Sequence, residues 1–128
     1  MKKPAEDKML TETELELMTI LWKLGEGSVN DVMDLQPKER NLAYTSVSTI
    51  LRILEQKSVL KNRKEGRGHI YIPCLSKSDY ESRAVKHVVE RVFDGTPMAL
   101  VRQLMDSEQL NANDIKELKK LLEKAGRK

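Results

Sequence analysis

Two stretches of the chain carry residues whose types and spacing could do chemistry. In the first, Lys64-Glu65-Gly66-Arg67-Gly68-His69-Ile70-Tyr71, two glycines join one short apolar run (Val59, Leu60) to another (Ile70, Tyr71, Ile72), the grammar of a hairpin loop. Lys61, Arg63, Lys64 and Arg67 stand there against Glu65 alone. A ribbon this short gains almost no burial, so its charge points to a polyanionic partner, with an ordinary solvated face as the alternative that charge alone does not defeat. In the second stretch, Ala43 to Leu54, the residues Val47, Ile50, Leu51 and Leu54 recur at i, i+3, i+4, i+7 and form a core-facing stripe. At about 100° per residue the opposite face carries Thr45, Ser48, Thr49, Arg52 and Gln56, with Ser46 to one side. Solvated helices favour Glu, Lys and Gln, because Ser and Thr are poorer helix formers. Short hydroxyls instead let a helix backbone approach a groove closely, while Arg52 reaches a phosphate or a guanine edge.

The other reactive side chains do not assemble into a constellation. His69 and His87 lie far apart on different elements, and no glycine-rich phosphate loop or His-Glu-x-x-His motif is present. Cys74 stands alone, which excludes an intramolecular disulfide and a multi-cysteine zinc or copper site within one chain; it reads as a buried thiol. No enzyme, metal or cofactor is expected.

The elements that must position these residues follow from composition and periodicity. A chain of 128 residues, 39% hydrophobic and 34% charged, suits one compact domain or two very small ones, and its scarcity of aromatics favours helices over a β-sandwich. Residues 1–35 carry four basic and eight acidic side chains, residues 36–73 eight and three, and residues 74–128 eleven and nine, so a cationic middle follows an acidic head. No run approaches a bilayer span and no apolar segment follows Met-Lys-Lys-Pro, so neither a membrane helix nor a signal peptide is expected, and a cytoplasmic location is.

Residues 1–9 read as a flexible arm. Thr11 and Glu14 then form a capping box, behind which Leu15, Met18, Leu21 and Trp22 share one helical face up to Gly25. Ser28, with Asp31, begins a shorter helix with Val29, Val32, Met33 and Leu35 inward, and Gln36-Pro37 stops it. With the helix over 43–56 and the hairpin, the order is helix, helix, helix, cationic ribbon, the layout of a winged helix-turn-helix spanning residues 10–74. The third helix would lie in the major groove of duplex DNA, and Arg63, Lys64, Arg67 and His69 on the wing would meet flanking phosphates or a minor groove. His69 has a second reading as a structural strand residue, and Tyr44 either touches a sugar or base or packs at the helix start.

Residues 75–128 change to amphipathic helices. Ser76 and Asp79 cap the first, in which Ala84, Val85, Val88, Val89, Val92 and Phe93 cover about half the circumference. Thr96-Pro97 starts another bearing Leu100, Val101, Leu104 and Met105, and Asn111 with Asp114 starts a last one bearing Ile115, Leu118, Leu121 and Leu122. Faces this broad imply pairing with the same segment of a second chain, giving a two-fold homodimer that spaces two wings along DNA; the alternative is a small intrachain bundle. The expected fold is mainly α with a small β-hairpin wing, a DNA-binding domain followed by a helical dimerisation domain.

The order LTETELELMTILWKLGEGSVNDV, LAYTSVSTILRILEQKSVLKNRKEGRGHIYIP, then FDGTPMALVRQLMDSEQLNANDIKELKKLL resembles the penicillinase-repressor family of BlaI, MecI and CopY type, from Leu10 to Leu122. The resemblance is most specific at Leu-Ala-Tyr-Thr before the third helix, at the Glu-Gly-Arg wing tip and at Leu-x-x-x-Glu-Leu-x-x-Leu-Leu near the end. It implies a homodimeric winged-helix repressor of inverted-repeat operators of TACA/TGTA type. The family's copper-responsive branch carries C-terminal Cys-x-Cys motifs, whereas this chain ends in EKAGRK. Its β-lactam-responsive branch is released by a regulatory protease cutting an Asn-Phe bond, and the matching place here reads Gln103-Leu104. The competing reading is a winged-helix module whose ribbon binds an acidic protein. The two arginines make a first test: Arg52→Ala should weaken a cognate duplex more than random DNA, and Arg67→Ala should weaken both equally, as measured by titration of each duplex. The opposite pattern would exchange the two roles.

Overall fold

The computed structural model describes residues 9–127. Helix starts are set by reciprocal side-chain to backbone bonds. The Glu14 amide donates to Thr11 Oγ1 at 3.1 Å and the Thr11 amide to Glu14 Oε1 at 2.9 Å, launching α1 over Glu12–Leu24. Ser28 and Asp31 repeat the exchange for α2 over Val29–Leu35. Gly25, at φ +86°, ends α1 in a conformation that a side chain would strain. The third helix, α3, runs Tyr44–Gln56 from Ala43, which offers no side-chain cap.

The hairpin pairs β1 (Leu60–Glu65) with β2 (Gly68–Pro73), Glu65 opposite Gly68, so the loop is the two residues Gly66 and Arg67. Gly66 takes φ +59°, the positive value a two-residue hairpin loop needs at its first position. The turn between α1 and α2 adds a third pairing: Gly27 and Tyr71 exchange both backbone hydrogen bonds, at 3.0 and 2.7 Å. A Cβ on Gly27 would stand 3.2 Å from Leu24 Cδ1 and 3.3 Å from Asp31 Cβ, so close approach selects glycine there.

The first of two compact units reaches Val85 and is built on one core. Leu17, Met18 and Leu21 of α1, Val32 of α2, Val47, Leu51 and Leu54 of α3 and Leu60 of β1 are its fully buried members. The inner face of α1 is turned slightly from the expected one: Leu17 and Ile20 are buried, while Leu15 and Trp22 lie half-buried at the margin. Leu35, expected inward, is exposed, because α2 ends there after seven residues. Cys74 is likewise exposed, not buried; its amide is tied to the Val59 carbonyl at 2.8 Å and the next residue, Leu75, takes the inward place. The helix α4, Lys77–Arg91, begins on this core: Tyr80 is buried, its ring centroid 6.0 Å from that of Trp22, and its hydroxyl accepts from the Leu10 amide. The Trp22 indole donates to the Leu75 carbonyl at 2.9 Å. The arm expected over residues 1–9 lies, apart from Met9, outside the described residues.

The second unit, from Lys86 on, contains the end of α4, α5 (Pro97–Asp106) and α6 (Ala112–Gly126). Asn111 and Asp114 cap α6 by the same exchange, at 2.8 and 3.0 Å. None of the described residues of α5 or α6 is buried.

Among the described residues one charged group sits inside the first unit. Glu14 is 6% exposed and accepts from Lys57 Nζ at 2.7 Å, tying the start of α1 to the residue that ends α3. Burial pushes its carboxyl up, but hydrogen bonds from Lys57 and Thr11 and the Lys57 charge outweigh that and hold it below the ordinary value. A depressed carboxylate stabilises the fold above its unfolded pKa, and that contribution is lost as pH falls through the folded value. Lys57→Met, which leaves the buried carboxylate unpaired, should therefore cost about 1–3 kcal/mol near neutral pH and progressively less as acid protonates Glu14. Urea unfolding at about pH 7 and about pH 3 measures it; an equal loss at both would show that the pair contributes nothing.

Candidate nucleic-acid interface

The geometry starts with how α3 is aimed. The Gln36 side-chain amide bonds both backbone groups of Leu42, donating to its carbonyl at 2.9 Å and accepting from its amide at 2.8 Å, which closes the turn between α2 and α3. Arg40 in that turn pairs with Glu16 of α1 at 2.6 Å. With Val47, Leu51 and Leu54 inward, Thr45, Ser46, Thr49, Arg52 and Gln56 are exposed and Ser48 half-buried. Thr45, Ser46, Thr49 and Ile50 line an open concavity of about 360 Å³. Tyr44 is 51% exposed and so is not packed away at the helix start.

The wing stands beside this face. Tyr44 and Ser48 of α3 come together with Arg67 and His69 of the wing around a cleft of about 170 Å³, completed by Ser28, Asn30 and Tyr71. Tyr71 is buried, and its burial, reinforced by the Glu55 carboxylate, pushes the phenol up and keeps it neutral. Lys64, Arg67 and Arg52 are exposed and have no ion-pair partner among the described residues, so their charge is directed at solvent. Arg63 differs: its guanidinium reaches Glu26 at 2.9 Å and Glu65 at 3.2 Å. The hydrogen bond from Arg63 holds the Glu26 carboxyl below the ordinary range. Arg63 thus ties the wing to the same turn that Gly27 joins to Tyr71. His69 Nδ1 lies 3.0 Å from Asn62 Oδ1, so it has a structural partner as well as a place on the cleft.

The expected residues therefore fall into four settings: Tyr44, Ser48, Arg67 and His69 share a cleft, Thr45, Ser46 and Thr49 share a concavity, Arg52 and Lys64 stand exposed without an ion-pair partner among the described residues, and Arg63 is engaged within the protein. Glu26, Gln36, Glu55 and Asn62, which position them, went unnoticed in the sequence because each is an ordinary polar residue whose partner is distant or on another element. Among the described residues no group of three or more His, Cys, Asp or Glu could hold a metal ion, and no helix is long and apolar enough to cross a membrane.

Three helices, the third presenting a short-hydroxyl face, followed by a two-stranded cationic hairpin define a winged helix-turn-helix protein. The chain belongs to the penicillinase repressor family, whose model matches residues 10–124. It is 30% identical over 114 residues to the penicillinase repressor of Bacillus licheniformis, covering 89% of each chain. It is 24% identical over 115 residues to the methicillin resistance regulatory protein MecI of Mammaliicoccus sciuri, covering 90% of this chain and 94% of that one. Among solved structures it is similar to the DNA-binding domain of the repressor BlaI in solution, at 33% identity and a TM-score of 0.52 over 62% of this chain and 94% of that one. The Arg63 pair yields a prediction. Glu26→Gln removes one negative charge and loosens the guanidinium, so affinity for random duplex should rise and the slope of log affinity against log salt should steepen by about 0.9. An unchanged slope would mean that Arg63 stays with Glu65.

Proposed function

We propose that the protein is a sequence-specific transcriptional repressor that binds inverted-repeat operators as a homodimer in the cytoplasm, with α3 in the major groove and the wing over residues 61–69 on the backbone. The observation that carries this reading is the two-sidedness of α3: Val47, Leu51 and Leu54 are fully buried and Ile50 half-buried, which leaves short hydroxyls and Arg52 facing out beside Lys64 and Arg67, cations with no ion-pair partner among the described residues. Backbone cations supply affinity and register, and hydroxyls and Arg52 at base edges supply sequence discrimination. Membership of a repressor family supports the same reading and gives no support to catalysis.

The homodimer rests on residues 75–128. Val85, Val92, Leu104, Met105, Leu121 and Leu122 are exposed, and Val88, Val89, Phe93, Leu100, Val101, Ile115 and Leu118 are only half-buried. A second copy meeting this segment would remove that apolar area from water, at roughly 25 cal/mol per Å². A regulatory protease would face a bond, Gln103–Leu104, that lies inside α5 and needs local unfolding before cleavage.

Selection of duplexes from genomic DNA with the purified chain, followed by titration of the best one against its scramble, tests the proposal. A palindromic site preferred by about a thousandfold is expected. Equal, weak binding to both would favour an acidic protein as the wing's partner. Val88→Glu should convert dimers to monomers in sedimentation and lower operator affinity together; an unchanged dimer removes α4 from the interface.

A further inference from the structure

Three residues on three elements form a chain of hydrogen bonds whose direction is determined by chemistry. The Asn62 side-chain amide of β1 donates to the Glu55 carboxylate in the last turn of α3, and Asn62 Oδ1 lies 3.0 Å from His69 Nδ1 on β2. A carboxylate has only acceptors, so Asn62 must turn its NH2 toward Glu55 and its oxygen toward the imidazole. An imidazole nitrogen can bond an oxygen of this kind only by donating, so Nδ1 carries a proton, and in the neutral ring that proton is the only one.

We propose that Glu55 and Asn62 are positioning residues that hold neutral His69 in the Nδ1–H tautomer, so that the wing offers Nε2 to DNA as a hydrogen-bond acceptor that reads sequence. This rests on the DNA-binding reading above. The two ring nitrogens face away from each other, and with Nδ1 committed to Asn62 the free one is Nε2 on an exposed side chain. Lys64, directly across the ribbon, and Arg67, two residues back on the loop, offer donors only, as phosphates require. A phosphate oxygen is itself an acceptor and does not suit the neutral ring. The group that does is a donor: the exocyclic amino group of a base, which in the minor groove belongs to guanine alone. In its neutral form His69 is thereby a residue of sequence discrimination, and the wing contributes to specificity beyond α3.

Nitrogen-15 NMR of the full chain at about pH 8, where an ordinary imidazole is neutral, reads the tautomer directly, with His87 as internal control. His69 should show a proton-bearing Nδ1 and a bare Nε2. Glu55→Gln, which keeps size and shape but lets the Asn62 amide turn either way, and Asn62→Ala should both move His69 toward the Nε2–H form and leave His87 unchanged. On the best duplex selected from a random pool, each variant should lose preference over a scrambled duplex by about fivefold, with scrambled binding unchanged, and neither should have a further effect in a His69→Ala background. An Nε2–H tautomer in the native chain overturns the proposal, as does a loss from Asn62→Ala that persists in full without His69. If no duplex is preferred by the native chain, the DNA-binding reading fails and the recognition role with it, whichever tautomer is found.

Discussion

Burial of Val47, Leu51 and Leu54 is the constraint from which the rest of the molecule follows. These three side chains have no accessible surface, and each is worth roughly 1.5–3 kcal/mol relative to exposure. A helix has only one circumference, so committing this stripe to α1, α2 and β1 also commits Thr45, Thr49 and Arg52 to solvent. The outward face is thus held in place by an apolar interaction on the far side. Rotating α3 by one residue would bring hydroxyls into a core with no partners for them.

Apolar burial fixes which face points out but sets the ends of the helix only loosely, and polar contacts do the rest. Gln36 closes the turn before α3 by bonding Leu42 twice, Lys57 anchors its far end to the buried Glu14, and Glu55 connects its last turn to the wing through Asn62. The wing is tied again at the turn after α1, through Gly27 to Tyr71 and Arg63 to Glu26. A two-stranded ribbon is marginal by itself. Three separate connections to helices and turns make this one an arm of defined direction, with Lys64 and Arg67 near its tip left without an ion-pair partner among the described residues.

The two units solve the problem of burial differently. The first closes its core within one chain, as far as Tyr80 on α4. The helices of the second keep broad apolar faces at half burial or less, the surface on which the proposed homodimer rests.

Capping chemistry and most of the periodicity were legible in the sequence, with the inner face of α1 slightly turned and Leu35 misplaced. Thr11 with Glu14, Ser28 with Asp31 and Asn111 with Asp114 each announced a helix start that is found there, the stripe from Val47 to Leu54 announced the inner side of α3, and Gly66 announced the hairpin loop. These signals are local: each needs only neighbours within about one turn or one loop. What the tertiary structure alone decided is the partnering of polar residues distant in the chain. Nothing near Arg63 shows that Glu26, 37 positions earlier, will take its charge, nor near Glu14 that Lys57 will lie 2.7 Å away. Cys74 and Leu35 went outward for the same reason, because a residue at the end of an element is placed by what packs there and not by its own hydropathy. The sequence by itself determined which elements form and which sides they bury; the direction of the wing, and which of its cations remain free, exist only once those elements have met.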